Sequence, residues 1–148
     1  MEALRFNLAE VYPEAYKALA AVEALKANSK LTPIQKELIK IRASQINKCA
    51  FCINMHTADA RKYGETEARI YLLNAWREAQ VYTPEERAIL AMTEEVTEIS
   101  KHGLREETYQ DVVKHFGIDG TAQILMMIIA INNWNRVAIP LHYLPEVK

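Results

Sequence analysis

The chain has 148 residues and a formal net charge of -1, and 50% of its residues are apolar while 25% are charged. This balance is ordinary for a globular domain, and the near-neutral charge argues against a general attraction to nucleic acid or to an anionic membrane surface. We expect a single domain spanning residues 1–148, long enough to bury a core without disulfide support.

The N-terminus and the apolar runs bear on localisation. The first ten residues include Glu2 and Glu10 and lack the continuous apolar segment of a secretory signal. The longest apolar run, residues 124–131, is too short to cross a bilayer. We therefore expect a cytoplasmic protein with no membrane partner. In a reducing cytoplasm, a close pair of cysteines is more often catalytic or metal-binding than a permanent structural bridge.

The first helix signals fall in the N-terminal third of the chain. Pro13 opens a segment with an apolar face that continues to about residue 25. Thr32, Pro33 and Gln35 form the pattern of an N-cap, a first-turn proline and a capping box, which predicts a helix start. Asn47 tolerates a left-handed conformation and is predicted to end that helix.

Three more helices are predicted in the middle of the chain. The first begins near Cys49 and ends at Gly64, and Thr66 can cap a short helix that follows it. Thr83 opens a second capping-box pattern, and its helix is predicted to run to Gly103. Glycine is the residue that most often ends a helix, which is why these bounds are placed at glycines.

The C-terminal part is predicted to form two further helices. The first closes at Gly117, and the second starts at Asp119 or Gly120 and ends at Pro140. Residues 124–131 make the last helix apolar on every side, so it is either the centre of a bundle or also packs on a second subunit. We expect a homo-oligomer. No strand pattern competes, so the predicted fold class is all-α, a single-domain bundle of about six or seven helices.

The segment with the clearest chemistry is a C-x-x-C motif. It contains both cysteines of the chain, Cys49 and Cys52, and His56 follows one helical turn later. A helix N-terminus is expected here, and its unpaired N–H groups and dipole favour a thiolate. The three side chains share one helical face, so His56 can accept a proton from Cys52. This spacing favours a redox-active dithiol.

Other uses of a cysteine pair fit this sequence less well. Covalent haem attachment requires a histidine directly after the second cysteine, and Ile53 occupies that position. Structural zinc usually takes four ligands from two segments, and His102, His115 and His142 form no second pair. Two alternatives stay open: zinc held by three ligands on one helix with water, and two buried structural cysteines beside a surface histidine.

With Glu37 included, the motif becomes E-x(11)-C-x-x-C-x-x-x-H. It resembles the core motif of the AhpD-like alkylhydroperoxidases, within the carboxymuconolactone decarboxylase superfamily. Residues 31–64 carry the resemblance most strongly, and the segment Asn133-Trp134-Asn135-Arg136 is similar to the family's C-terminal helix. A glutamate in the middle of a helix is usually solvated, so the inclusion of Glu37 rests on the resemblance.

The resemblance implies an AhpD-like fold and a set of catalytic residues. Cys52 corresponds to the peroxidatic cysteine and Cys49 to the resolving one, and His56 corresponds to part of a proton relay with Glu37. The helix N-terminus alone could instead favour Cys49 as the activated sulfur, whereas the spacing of His56 favours Cys52. Characterised members carry a histidine directly before the second cysteine, and Phe51 replaces it here, which removes a relay member and makes the pocket more apolar.

The function expected from the resemblance is a thiol-dependent, peroxiredoxin-type peroxidase with an antioxidant role. Its partners would be a hydroperoxide substrate and an external dithiol reductant or lipoyl-type adaptor. The resemblance implies no metal, flavin or haem cofactor, and a trimeric or hexameric assembly. The alternatives are a non-enzymatic redox-sensing or zinc-binding protein, and a lactone-acting decarboxylase relative. The decarboxylase branch typically lacks the cysteine pair, which argues against the last of these.

Overall fold

A computed structural model describes residues 3–147 and shows an all-α architecture. Within these residues there are eight α-helices and two short 3-10 helices, and no strand. The α-helices are α1 (Leu8–Val11), α2 (Pro13–Ala24), α3 (Pro33–Asn47), α4 (Ala50–Lys62), α5 (Glu67–Leu72), α6 (Pro84–Thr97), α7 (Ile99–His102) and α8 (Glu106–Leu141), and the 3-10 helices are Leu25–Asn28 and Leu73–Ala75. The predicted fold class is confirmed, and the helix count is higher because α1 and α7 are single turns.

Two capping boxes start helices where the sequence predicts them. Thr32 Oγ1 accepts a hydrogen bond from the Gln35 backbone at 3.1 Å, and Gln35 Oε1 accepts one from the Thr32 backbone at 3.0 Å. Thr83 and Glu86 make the same reciprocal pair at the start of α6. Each box satisfies N–H groups that have no partner within the first turn of a helix.

The junction between α3 and α4 differs by one residue from the prediction. Asn47 is the last helical residue of α3, and Lys48 adopts the left-handed conformation with φ 60° and ψ 40°. The Asn47 side chain donates instead to Asn132 Oδ1 at 2.9 Å and to Asn135 Oδ1 at 2.8 Å, both on α8. The helix thus ends at Asn47 as predicted, but the left-handed residue that follows is Lys48 and not Asn47, whose amide joins α3 to α8.

Two helix ends differ from the prediction. The helix that begins after Thr83 ends at Thr97, because Glu98 leaves the helical region with φ -100° and ψ 40°, and α7 is a separate turn. In the C-terminal region, Gly117 interrupts α8 as predicted, because its φ of 67° and ψ of 177° are not helical, and the helical segments on its two sides meet there at a kink. The helix continues through Pro140 to Leu141.

The core lies on one side of α8, which packs on α3 and α6. Ile124, Ile128 and Ile131 are fully buried, whereas Leu125 and Ile129 are each 36% exposed. The apolar segment is therefore not enclosed on every side within one chain, and an open apolar face remains. Among the described residues, α8 is also the one helix long and apolar enough to cross a membrane, a property that core helices share. The absence of a membrane partner stays a prediction.

Candidate active site

Cys49 and Cys52 lie at the start of α4. Cys49 is the N-cap, and its Sγ accepts the backbone N–H of Cys52 at 3.3 Å. The two sulfurs form a disulfide whose Cα atoms are 5.3 Å apart. Both side chains are buried. The predicted position of the C-x-x-C motif at a helix N-terminus is confirmed, and the structure shows the pair in its oxidised form.

His56 and Glu37 form a buried hydrogen-bonded pair beside the disulfide. His56 lies one turn after Cys52 on α4, and its Nδ1 is 2.8 Å from Glu37 Oε2 on α3. Glu37 is only 6% exposed and His56 only 9% exposed. Since a carboxylate accepts, Nδ1 carries the hydrogen, and in the neutral ring Nε2 is then the acceptor atom. The structure therefore brings together the glutamate and the histidine that the resemblance pairs.

A fully buried lysine, Lys40, lies next to Glu37. The Lys40 ammonium is 2.6 Å from Glu23 Oε1 on α2 and 4.0 Å from Glu37 Oε1. Lys26 also contacts Glu23 Oε1, at 3.0 Å. Burial acts to raise the pKa of Glu23, but the hydrogen bonds and charges of Lys40 and Lys26 outweigh it, so this pKa lies below its usual value.

Sequence reasoning did not find Lys40 or Glu23. The available signal was weak: Lys40 lies between Ile39 and Ile41 in an otherwise apolar stretch of α3, three residues after Glu37. Lysines in such positions usually extend to solvent, and this one does not.

These groups line a cleft of about 470 Å³. Cys52, His56, Glu37 and Lys40 contribute to it, together with the apolar side chains Phe51, Met55, Trp134, Val137, Ala138 and Tyr143. Its walls contain two aromatic contacts, Phe51 with Tyr143 at 5.6 Å between ring centroids and Tyr16 with Trp134 at 5.4 Å. The position that holds a histidine in characterised relatives is thus part of an apolar aromatic wall. A cleft of this size accommodates a small organic molecule.

Cys49 lines a different opening. A shallower depression of about 270 Å³ is bordered by Cys49, and by Lys48, Ala50, Ile139, His142 and Leu144. It shares only Ala138 and Tyr143 with the main cleft. The two sulfurs of one disulfide therefore belong to residues that border separate depressions.

One group of side chains has the composition of a metal site. Glu37, His56 and Asp59 place ligand atoms within 4.8 Å of one another, and no other such group occurs in residues 3–147. However, Glu37 already accepts from His56, Asp59 accepts from Lys62 at 2.9 Å, and the Lys40 ammonium is close to Glu37. The positive charge of Lys40 opposes a cation at this position. That no metal is bound stays a prediction.

The chain belongs to the carboxymuconolactone decarboxylase family, which residues 13–95 match. The uncharacterised protein YdfG of Bacillus subtilis (strain 168) is 44% identical over 135 residues, which are 91% of this chain and 92% of that protein.

Two solved structures share the fold. A protein of unknown function from Agrobacterium tumefaciens, for which an AhpD-type antioxidant defence role has been suggested, has a TM-score of 0.94 at 39% identity, covering 99% of this chain and 100% of its own. An uncharacterised peroxidase-related protein from Ralstonia eutropha JMP134, with an alkylhydroperoxidase AhpD core, has a TM-score of 0.80 at 25% identity, covering 94% of this chain and 74% of its own. The AhpD-like resemblance is confirmed, and it supports a peroxidase-related function at the level of the family. The roles of Cys49, Cys52, His56 and Glu37 stay predictions.

Proposed function

We propose that this protein is a thiol-dependent peroxidase that reduces hydroperoxides through a Cys49–Cys52 disulfide cycle. The observation that carries the proposal is the buried His56–Glu37 pair in the cleft that Cys52 lines. A histidine one turn from a cysteine, with its other nitrogen held by a carboxylate, is suited to take up the thiol proton. The presence of a Cys49–Cys52 disulfide and the family relationship support the same cycle.

In the reduced protein, Cys52 transfers its proton to Nε2 of His56. The Cys52 thiolate attacks one peroxide oxygen, and the O–O bond breaks. The sulfur becomes a sulfenic acid, and the leaving alkoxide takes the proton from the His56 imidazolium to give an alcohol. The Cys49 thiolate then attacks the sulfenic sulfur and expels hydroxide, which is protonated to water, leaving the disulfide seen in the structure.

An external dithiol restores the reduced pair, and the depression beside Cys49 is the route that we assign to it. A donor thiolate attacks Cys49 Sγ, and Cys52 leaves as a thiolate. The second thiol of the donor then attacks the mixed disulfide, which frees Cys49 and oxidises the donor. A dithiol on a flexible arm, such as a lipoyl-type adaptor, fits an opening of about 270 Å³ better than a bulky protein surface does.

The experiment that tests the proposal is a peroxide-consumption assay with a panel of dithiol donors. The native protein should turn over with at least one donor, and Cys52→Ser should be inactive. Cys49→Ser should react once and leave a sulfenic acid on Cys52 that a dimedone-type reagent labels. Turnover retained by Cys52→Ser, or labelling on Cys49 in that variant, would reverse the assigned roles.

The same assay separates the alternatives. A redox-sensing protein would be oxidised once without turnover with any donor in the panel. A zinc-binding protein would retain stoichiometric zinc after purification, and a lactone-acting relative would be active without thiols. A cytoplasmic antioxidant role belongs to the proposal and would be supported by increased peroxide sensitivity of cells that lack the protein.

A further inference from the structure

Lys40 is a buried charge that the proposed cycle does not use. It is 1% exposed, and its ammonium donates to Glu23 Oε1 at 2.6 Å. Removing an ammonium and a carboxylate from water is costly, and apolar side chains of similar volume often stabilise a protein at least as well as a buried ion pair does. Stability alone is therefore a poor reason for placing this pair in the lining of the cleft that contains His56.

The charges alternate in sign from the surface to the candidate base. In order along this path, the distances are 3.0 Å from Lys26 to Glu23, 2.6 Å from Glu23 to Lys40, 4.0 Å from Lys40 to Glu37, and 2.8 Å from Glu37 to His56. Glu37 attracts a proton on His56 through Oε2, and Lys40, whose ammonium is nearest to Oε1 of the same carboxylate, opposes that proton. Glu23 in turn offsets part of the field of Lys40.

We propose that Lys40 is a positioning residue that sets how tightly the His56–Glu37 pair holds a proton. The ammonium favours the ionised carboxylate of Glu37, which keeps the Nδ1 hydrogen of His56 directed at it and Nε2 available for the Cys52 proton. The same charge limits the stability of the imidazolium, so the proton is released again to the leaving alkoxide. This inference rests on the role proposed above for His56.

Other charged or titratable groups line the cleft around His56. The charged or titratable side chains that line it are Tyr16 and Glu23 on α2, Lys26 on the following 3-10 helix, Glu37 and Lys40 on α3, Cys52, His56 and Asp59 on α4, and Tyr63 and Tyr143 in the segments after α4 and α8. Among them, Glu23 is bonded directly to Lys40. Since the pKa of Glu23 lies below its usual value, Glu23 is an anion at neutral pH, and removing its charge should have the opposite effect to removing Lys40.

The test is an NMR titration of the His56 ring in full-length protein with the Cys49–Cys52 disulfide intact, so that Cys52 has no proton to exchange, between about pH 5 and pH 9, the range that brackets ordinary imidazole titration. The resonance is assigned by its loss in His56→Gln. Lys40→Met should raise the titration midpoint by about one pH unit, because a nearby cation is removed. Glu23→Gln should lower it, because the remaining Lys40 charge is less compensated. Lys40→Arg, which retains the charge, should stay near the native midpoint.

Matched controls keep the result interpretable. Lys26→Met removes an exposed cation from the same Glu23 oxygen and should shift the midpoint less than Lys40→Met does. If Lys40→Met does not fold, the direction of the Glu23→Gln shift decides. A loss of packing would move the His56 midpoint in the same direction in Lys40→Met and in Glu23→Gln. Shifts in the same direction would therefore overturn the inference. Shifts no larger than that of Lys26→Met would also overturn it. The titration involves no peroxide, so its outcome is independent of whether the protein turns over hydroperoxides.

Discussion

Glu37 Oε2 lies 2.8 Å from His56 Nδ1, and this contact joins α3 to α4 between positions 19 residues apart in the chain. Both side chains are buried, so neither can exchange its partner for water without moving. In the neutral ring, the pair places the hydrogen on Nδ1 of His56 and sets the direction of Nε2. The reactivity of Cys52 should therefore depend on His56 of α4 and on Glu37 of α3.

The first prediction concerns activation of Cys52, measured in a Cys49→Ser background so that a single thiol is present. His56→Ala should slow alkylation of Cys52 at neutral pH by about tenfold, equivalent to about 1.4 kcal/mol, because a proton acceptor is lost. A plot of the alkylation rate against pH should have its midpoint at a higher pH than in the Cys49→Ser protein that retains His56. His102→Ala, which changes an exposed histidine, is the control and should leave the profile unchanged. An unchanged profile for His56→Ala would mean that the helix N-terminus alone activates the thiol.

The second prediction concerns acid stability and Glu94. Its carboxylate accepts from Arg42 Nε at 2.8 Å, from Trp76 Nε1 at 2.7 Å and from Arg77. Burial acts to raise the pKa of Glu94, but these hydrogen bonds outweigh it and hold the pKa below the usual value of 4.5. Ionised Glu94 therefore stabilises the fold at pH values above the usual carboxyl pKa of 4.5. This stabilisation is lost as the pH falls through the lower pKa that Glu94 has in the folded protein.

Glu94→Gln should accordingly lower the free energy of unfolding by about 3 kcal/mol at neutral pH. The difference from the native protein should narrow as pH falls below the usual carboxyl value. Urea unfolding followed by tryptophan fluorescence at several pH values measures this. Glu98→Gln, in a more exposed pair with Lys101, is the control and should change stability by less than about 1 kcal/mol. A Glu94→Gln difference that stays constant with pH would contradict the assignment.

The third prediction concerns the core face of α8. Ile128 is fully buried and its neighbour Ile129 is 36% exposed. Ile128→Ala should destabilise the fold by about 3 kcal/mol, because it removes buried methylene groups and leaves a cavity. Ile129→Ala should cost less than about 1 kcal/mol in the dissociated chain. Chemical unfolding of the two variants at low protein concentration compares them directly, and equal losses would show that this side of α8 is also enclosed.

The fourth prediction is that the protein is a homo-oligomer whose interface includes the open face of α8. Leu125 and Ile129 lie on this face, whereas Met127 points into the core at 3% exposure. Leu125→Glu and Ile129→Glu should weaken assembly because they place a charge in an apolar contact. Light scattering measures the mass against concentration. Gln110→Glu, at an exposed polar position of the same helix, should assemble normally. A native mass near 16.9 kDa across micromolar concentrations would rule the oligomer out.

Features that depend on a few neighbouring residues were predictable from the sequence. The capping boxes at Thr32 and Thr83 start helices as expected, since each is closed by side chains three residues apart. Cys49 is the N-cap of α4 for a similarly local reason. Cys52 and His56 share a face because the period of a helix places residues four apart on one side. The bundle class followed from many such signals taken together.

Other features depend on contacts between separate helices and could not be predicted from the sequence. Asn47 remains helical because α8 offers it two amide partners, and nothing in its own segment indicates this. Glu37 is buried because the face of α3 that contains it packs on α4, although a glutamate in a helix is usually solvated.

The sequence by itself determined most of the helical elements, the cysteine pair and the histidine one turn later, because these depend on interactions within one or two turns. Only the tertiary structure decided that Lys40 is buried against Glu23, and that Cys49 and Cys52 border different depressions. The physical reason is that the environment of a charge is set by the groups that surround it in space, and those come from helices distant in the chain.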